Sequence, residues 1–514
     1  MFLKIQCYGY KSEPYIRFGK IHFCNFVEHF LNKLIPIKLE INILKQVKKN
    51  VPSKIEQTIS ALDKAEGRLF RQFLESKFFN QRTDVLKLYD WLLGNPLEPK
   101  AATFAFVYGK TDFDGQKLRL VLSYLQKLAE HFLAYQQWVN TSGATERDLV
   151  RAVRQRGLDH QFPNALQSAK TALERQSLRN SDYYVQLGLV LWEEARFESL
   201  RAPSETIFLE QLSNNADLIW FTQKLRYMCL VRAQQIVYKT SYLLRFRAEI
   251  EQMVQQHDLL QSPAVEIWFF CLRMLEEPES LDFFNRFKQS LLSNDHLFDS
   301  DEIRDLHLFA VNYCIRRVNV GQRQFFNDIM DFYKNGLLKG YLIENGHLSR
   351  FTYHNIVGAG LQTKEYDWTA EFIGKYKNTI ERSHRESSYK FNLARLEFAQ
   401  KRYDVVLPLL QNSNYYDPLI ALAAKSLALK IYYETKEYDL LESHLEAMKI
   451  YIRRKPMLGY HRSHYLNLVR FTQKLVVLNH KNTAAVAILK ETIRNEPALV
   501  DREWLLEQFG AGGK

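Results

Sequence analysis

In the stretch DGQKLRLVLSYLQKLAEHFLAYQQWV, Leu118, Val121, Leu122, Leu125, Leu128, Phe132 and Tyr135 recur at spacings of three and four. That period places them on one stripe of a helix over 115–139. The same rhythm resumes again and again after Ser53, and it predicts more than twenty helical segments, mostly 10–25 residues long. The first opens on Ser-Lys-Ile-Glu, a capping box in which the Ser53 hydroxyl accepts from the third helical amide and Glu56 reaches back. Clusters rich in Pro, Gly, Asn and Asp (GNPLEP, RAPSE, QSPAVE, EEPES, NYYDPL) punctuate the series. No alternating pattern of a strand follows residue 50. Short connections between helices predict helical hairpins and an all-α fold.

One short phrase returns in the last third of the chain: Lys, any residue, then Tyr-Asp, ending at Tyr366-Asp367, Tyr403-Asp404 and Tyr438-Asp439. The tyrosines are 37 and 35 residues apart, a period typical of stacked helix pairs. The phrase predicts a turn between two packed helices, with each ring largely buried at the crossing. Its Asp, in the first turn of the second helix, suits the positive end of that helix dipole.

Extended backwards, the phrase resembles a tetratricopeptide repeat. In FNLARLEFAQKRYDVVLPLL (391–410), Leu393-Ala394 match the leucine–small pair, Phe398 the late aromatic, Tyr403 the aromatic after the turn and Val406 the small position of the second helix. Residues 427–445 fit through Ile431, Tyr432, Tyr438 and Leu441, and 183–200 through Leu187-Gly188, Trp192 and Phe197. Several small positions carry Val or Leu instead, and the proline that ends such repeats is mostly missing. Outside 183–200 and 353–450 the match is weak. The stretches 73–93 and 334–357 also resemble a set of bacterial all-helical proteins of this size, a likeness over 55–510 that brings no activity with it.

The repeat resemblance implies a right-handed superhelical array of antiparallel helix pairs, an α-solenoid with a concave groove lined by the first helices. It implies a non-enzymatic scaffold that binds a peptide or protein segment. Matching the repeat frame puts Asn355 and Asn392 at one groove-facing position, with Arg395 and Lys430 a turn further along. Amide and cationic groups there suit an acidic or C-terminal carboxylate ligand. Residues 344–373 also resemble a single pentatricopeptide unit, although one unit does not make an RNA-reading array.

Charge changes the picture only locally. The 514 residues carry a formal net charge of +12. Residues 1–50 hold nine Lys or Arg against three Glu, so +6 falls there and +6 on the other 464 residues. The body is therefore only mildly basic. A nucleic-acid-associated role would fall to the basic N-terminus or to Arg147, Arg151 and Arg154, which share one helix face in TERDLVRAVRQRG. Five cysteines with no CxxC pair argue against a disulfide framework and for reduced thiols in a cytoplasm. No apolar run reaches the ~18 residues of a membrane helix, and the N-terminus lacks a signal-type core.

No familiar chemistry assembles. Gly109-Lys110-Thr111 ends like a phosphate loop, but Phe104 stands where the first glycine is needed. Asp-Phe-Asp-Gly (112–115) starts like a calcium loop whose twelfth position is Ser123, so it predicts an Asp helix cap instead. His461 and His464 share a helix face without a nearby acidic partner in sequence. The expectation is no metal, no cofactor and no enzyme. The organisation expected is an extension over 1–52, a helical region over 53–140, the repeat array over 141–509 and a flexible tail over 510–514.

Overall fold

The computed structural model describes residues 52–109, 112–199, 207–238, 240–411, 415, 417–455, 459, 461–479 and 481–511. The basic extension, Lys110 and Thr111 lie outside them. Among the described residues 77% are helical, in 23 α-helices. In chain order these are α1 (Lys54–Ala61), α2 (Lys64–Glu75), α3 (Thr83–Leu92), α4 (Lys100–Tyr108), α5 (Gly115–Asn140), α6 (Ala144–Gln155), α7 (Phe162–Glu174) and α8 (Ser181–Glu198). The series continues with α9 (Ile207–Tyr238), α10 (Arg247–Gln256), α11 (Pro263–Glu276), α12 (Leu281–Asn294), α13 (Ser300–Asn319), α14 (Phe325–Leu338), α15 (Arg350–Gln362) and α16 (Tyr366–Lys375). It ends with α17 (Arg385–Ala399), α18 (Tyr403–Gln411), α19 (Pro418–Glu434), α20 (Tyr438–Arg454), α21 (His461–Val476), α22 (Thr483–Asn495) and α23 (Arg502–Ala511). Gly510 and Ala511, expected in a flexible tail, end α23, and residues 512–514 lie outside the described ones.

The helix starts are chemically ordinary. Ser53 accepts from the Glu56 amide at 3.4 Å while Glu56 accepts from the Ser53 amide at 2.7 Å, which completes the capping box. Asp114 accepts from the Gln116 and Lys117 amides at 2.8 and 3.0 Å, so the calcium-like Asp is a cap.

Among the described residues the chain divides into two compact units at 220/221, inside α9. Within the unit ending at Trp220, α1–α5 enclose Phe70, Val85, Leu88, Val121, Leu125 and Phe132. A second cluster joins Val150, Val153, Phe162, Ala169, Val190 and Phe197 from α6, α7 and α8. Phe162 and Phe197 stack with centroids 3.7 Å apart. Here the repeat frame fails: residues 183–198 form one unbroken helix, with no turn between Trp192 and Phe197. Trp192 is 47% exposed.

In the unit from Phe221 onwards, α13 is buried around most of its circumference, with Ile303, Leu306, Phe309, Tyr313 and Cys314 fully enclosed. A two-strand hairpin, β1 (Ile343–Glu344) and β2 (His347–Leu348), interrupts the helices. Its turn is Asn345-Gly346, both at positive φ, the pairing that a tight hairpin demands. The periodicity reading passed over that signal.

The repeated phrase then makes three turns of one design. Helices α15 and α16, α17 and α18, and α19 and α20 pack as pairs joined by residues 363–365, 400–402 and 435–437. In each turn the lysine is left-handed: Lys364 at φ 60°, Lys401 at 60° and Lys436 at 61°. Each lysine amide donates three residues back, to the Leu361, Phe398 and Tyr433 carbonyls. The next amide donates five back, from Glu365 to Gly360, Arg402 to Glu397 and Glu437 to Tyr432. This is the Schellman closure of a helix C-terminus, with lysine where glycine is usual. At Gly360 the pair α15–α16 approaches so closely that a Cβ would lie 2.2 Å from the Thr369 hydroxyl.

The tyrosines open the second helices as expected, but they are not buried. Tyr366 and Tyr403 are half-buried and Tyr438 is 45% exposed. A ring on the first residue of a helix rests on the preceding helix with one face only. Tyr403 packs on Phe398 with centroids 5.5 Å apart, and Tyr438 on Tyr433 at 6.4 Å.

Candidate functional site

A cavity of about 600 Å³ opens within the unit from Phe221 onwards. The first helices of the three pairs supply one wall: Gly358, Leu361 and Gln362 from α15, Arg395 and Phe398 from α17, and Leu427 and Lys430 from α19. The end of α13 and the loop after it contribute Asn319 and Arg323, and α21 contributes His461, His464 and Tyr465. The segment 499–507, which starts α23, closes the remainder.

Of the four groove positions read from the sequence, Arg395 and Lys430 line this cavity and Asn355 and Asn392 do not. Asn392 is fully buried. Its amide nitrogen donates to His354 Nδ1 at 2.8 Å and to the Ser388 carbonyl at 3.0 Å, and its Oδ1 accepts from Arg395 Nη1 at 3.0 Å. Asn355 is half-buried beside the fully buried Tyr333. Asn392, expected to face the groove, is covered instead by α15, the first helix of the preceding pair.

Arg395 is 6% exposed. Its Nη1 donates to the His354 carbonyl at 2.9 Å as well as to Asn392. Gly358 makes room for it, since a Cβ there would lie 2.9 Å from Nη2. Burial lowers the Arg395 pKa to about 10, which leaves the guanidinium charged at neutral pH. His354 is held down to about 3, by burial first and by the Arg395 charge second. Its ring is therefore neutral, with Nδ1 accepting and the proton on Nε2. That Nε2 has no hydrogen-bond partner among the described residues.

Lys430 is in a different situation. Its ammonium lies 3.0 Å from Asp501 Oδ1, and both side chains are buried. Asp501, at φ 55°, stands just before α23. The same segment delivers Trp504, whose indole donates to Glu434 Oε1 at 2.7 Å, while the Tyr403 hydroxyl donates to the other Glu434 oxygen. Arg323 pairs with Glu503. Glu434, Asp501 and Trp504 carry no local signal, because their contacts join residues about seventy positions apart in featureless helical sequence.

The alternative basic face, on α6, is largely spoken for. Arg147 binds Asp148 at 2.8 Å and also donates to Gln186. Arg154 pairs with Glu193 of α8. Arg151 lies 4.0 Å from the same carboxylate, with its side chain 64% exposed. His461 and His464 rings are 6.4 Å apart, and among the described residues no three His, Cys, Asp or Glu gather as metal ligands. Cys229, Cys271 and Cys314 are buried and unpaired. Among the described residues no helix is long and apolar enough to cross a membrane.

The class that fold and cavity define is an all-helical chain with paired helices around a polar-anchored cavity. No family model, curated protein or solved structure matches it.

Proposed function

We propose that the chain is a non-enzymatic cytoplasmic scaffold, a tetratricopeptide-like array whose groove takes up a peptide or protein segment. The carrying observation is that the first helices of all three Lys-x-Tyr-Asp pairs line one cavity. In a solenoid of helix pairs, that is the face that receives ligands. A groove of this kind draws affinity from a few desolvated contacts over apolar surface. Leu361, Phe398 and Leu427 supply the apolar surface, and Arg395 the charge.

The test is a photo-crosslinking amino acid placed at Gln362, which lines the cavity and is exposed, with Arg151 as the control position. Crosslinks in cell extract to one defined protein segment from Gln362 and not from Arg151 are expected. Crosslinks from Arg151 alone, to nucleic acid or protein, would sink the groove and favour the basic face, whose binding would fall steeply with salt.

A further inference from the structure

The cations of the cavity are of two sorts. Lys430 and Arg323 each meet a carboxylate of the 499–507 segment. Arg395 and Arg502 make no ion pair with any described residue; Arg502 is half-buried and donates to the Glu496 carbonyl, whereas Arg395 is buried. Its two bonds, to a backbone carbonyl and an amide oxygen, orient the guanidinium without neutralising it. A guanidinium removed from water is strongly unfavourable until a negative charge meets it. The protein nevertheless builds for it, through the gap at Gly358 and the fixed amide of Asn392.

We infer that Arg395 anchors a site for a monocarboxylate with an apolar body, borne either by a small acid or by the C-terminal residue of a chain segment. The planar guanidinium fork matches a carboxylate. Four Arg or Lys against three Asp or Glu line the cavity, a formal 4 − 3 = +1 that one carboxylate offsets. A phosphate dianion would overshoot it. Leu361, Phe398 and Leu427 suit an apolar body, and about 600 Å³ falls within the range of small-ligand sites. The inference rests on the groove reading and names the chemistry that the groove selects.

The experiment is calorimetric titration of the full chain at fixed ionic strength. The probes are 4-methylpentanoate and its amide, N-acetyl-Ala-Leu-Leu with a free carboxylate and as the carboxamide, and inorganic phosphate. Both acids should bind and both amides should not. Phosphate should bind at least ~10-fold more weakly than the better acid. Arg395→Gln should weaken the acids ~10–100-fold, as loss of a charge-assisted pair requires. Arg395→Lys, which keeps the charge and loses the fork, should weaken them too with the circular dichroism unchanged. In the wild type, the Arg395 Nε–H resonance should shift on addition of acid, a readout that needs no variant. Acid binding equal in wild type and Arg395→Lys, no binding by either acid, or an unmoved resonance overturns the site. The peptide acid binding ~10-fold tighter than 4-methylpentanoate assigns the carboxylate to a chain end, and the reverse assigns it to a small acid. A crosslinked segment that binds equally well to Arg395→Gln would overturn this site and leave the groove reading standing. Acids that bind through Arg395 without competing with that segment would do the opposite.

Discussion

The stretches 183–200 and 391–410 carry the same repeat frame and fold differently. Residues 183–198 of the first lie in one unbroken helix, α8, while the second breaks at Lys401 between α17 and α18. Both have the apolar spacing. Helix propensity does not separate them, because Ala399-Gln400-Lys401-Arg402 are good helix formers as well as Glu193-Glu194-Ala195-Arg196. In the first stretch, both glutamates are held in place by cations, Arg154 on Glu193 and Lys170 on Glu194. In the second stretch, the Lys401 and Arg402 amides close a Schellman turn. The two stretches also differ in charge. The arginines facing α8 meet an acid, whereas Arg395 within 391–410 meets none among the described residues. Hydrophobic period alone does not decide whether a chain turns; the conformation accepted at one residue does.

The largest expected effect bears on the buried polar network of the second stretch. Asn392→Leu removes the partner of both His354 and Arg395 and should cost ~3 kcal/mol or more, since each buried group left unpaired costs about 1–3 kcal/mol. Gln186→Leu, at the half-buried partner of Arg147, should cost ~1 kcal/mol or less. Urea denaturation of the two variants measures both, and equal losses would erase the contrast.

The next effect is one of pH. The folded pKa of His354 is depressed to about 3, against about 6.5 for an unperturbed histidine. Between those values the unfolded chain binds the proton and the folded one does not, so stability falls as pH falls through that window. The contribution is fully present above pH ~6.5 and drops by up to ~1.4 kcal/mol per unit below it. From pH 7 to pH 5, denaturation should show ~2 kcal/mol lost from this residue, and the slope should flatten by that amount in His354→Gln. An unchanged slope in the variant would mean that His354 titrates normally.

The smallest effect is the most direct test of the comparison. Lys401→Gly relieves a left-handed side-chain residue and should stabilise by ~0.5–1 kcal/mol. Arg196→Gly, within α8, should destabilise by a similar ~0.5–1 kcal/mol. Thermal melts that move in the same direction for both would show that the turn is set by something other than the lysine conformation.

Much of the fold was legible because its signals are local. The cap at Ser53, the cap at Asp114 and the three turns all depend on residues within five positions of one another. The candidate site was half legible. Arg395 and Lys430, which the repeat resemblance put a turn beyond Asn355 and Asn392, line one cavity. What covers such positions could not be read. Asn392 is sealed beneath the neighbouring first helix, Lys430 is matched by Asp501 seventy-one residues on, and Glu434 is bound by Trp504. Those partners come from elements whose approach is decided by packing, and a stretch of helical sequence holds no record of its distant neighbour. The tyrosines were misjudged for a related reason: a ring at the first position of a helix has one face against protein and the other towards water.

The lysines of the three turns have a consequence for digestion. In sequence, the bonds after Lys364, Lys401 and Lys436 are tryptic sites, and all three side chains are exposed. A protease cleft, however, takes an extended segment of several residues. Each of these lysines is held left-handed, with its own amide and the next one bonded back into the preceding helix. Cutting therefore requires that the hairpin open first. The rate at which each bond is lost to dilute trypsin then reports the opening equilibrium of that helix pair, and the three bonds make a built-in clock for how the pairs come apart, one turn at a time.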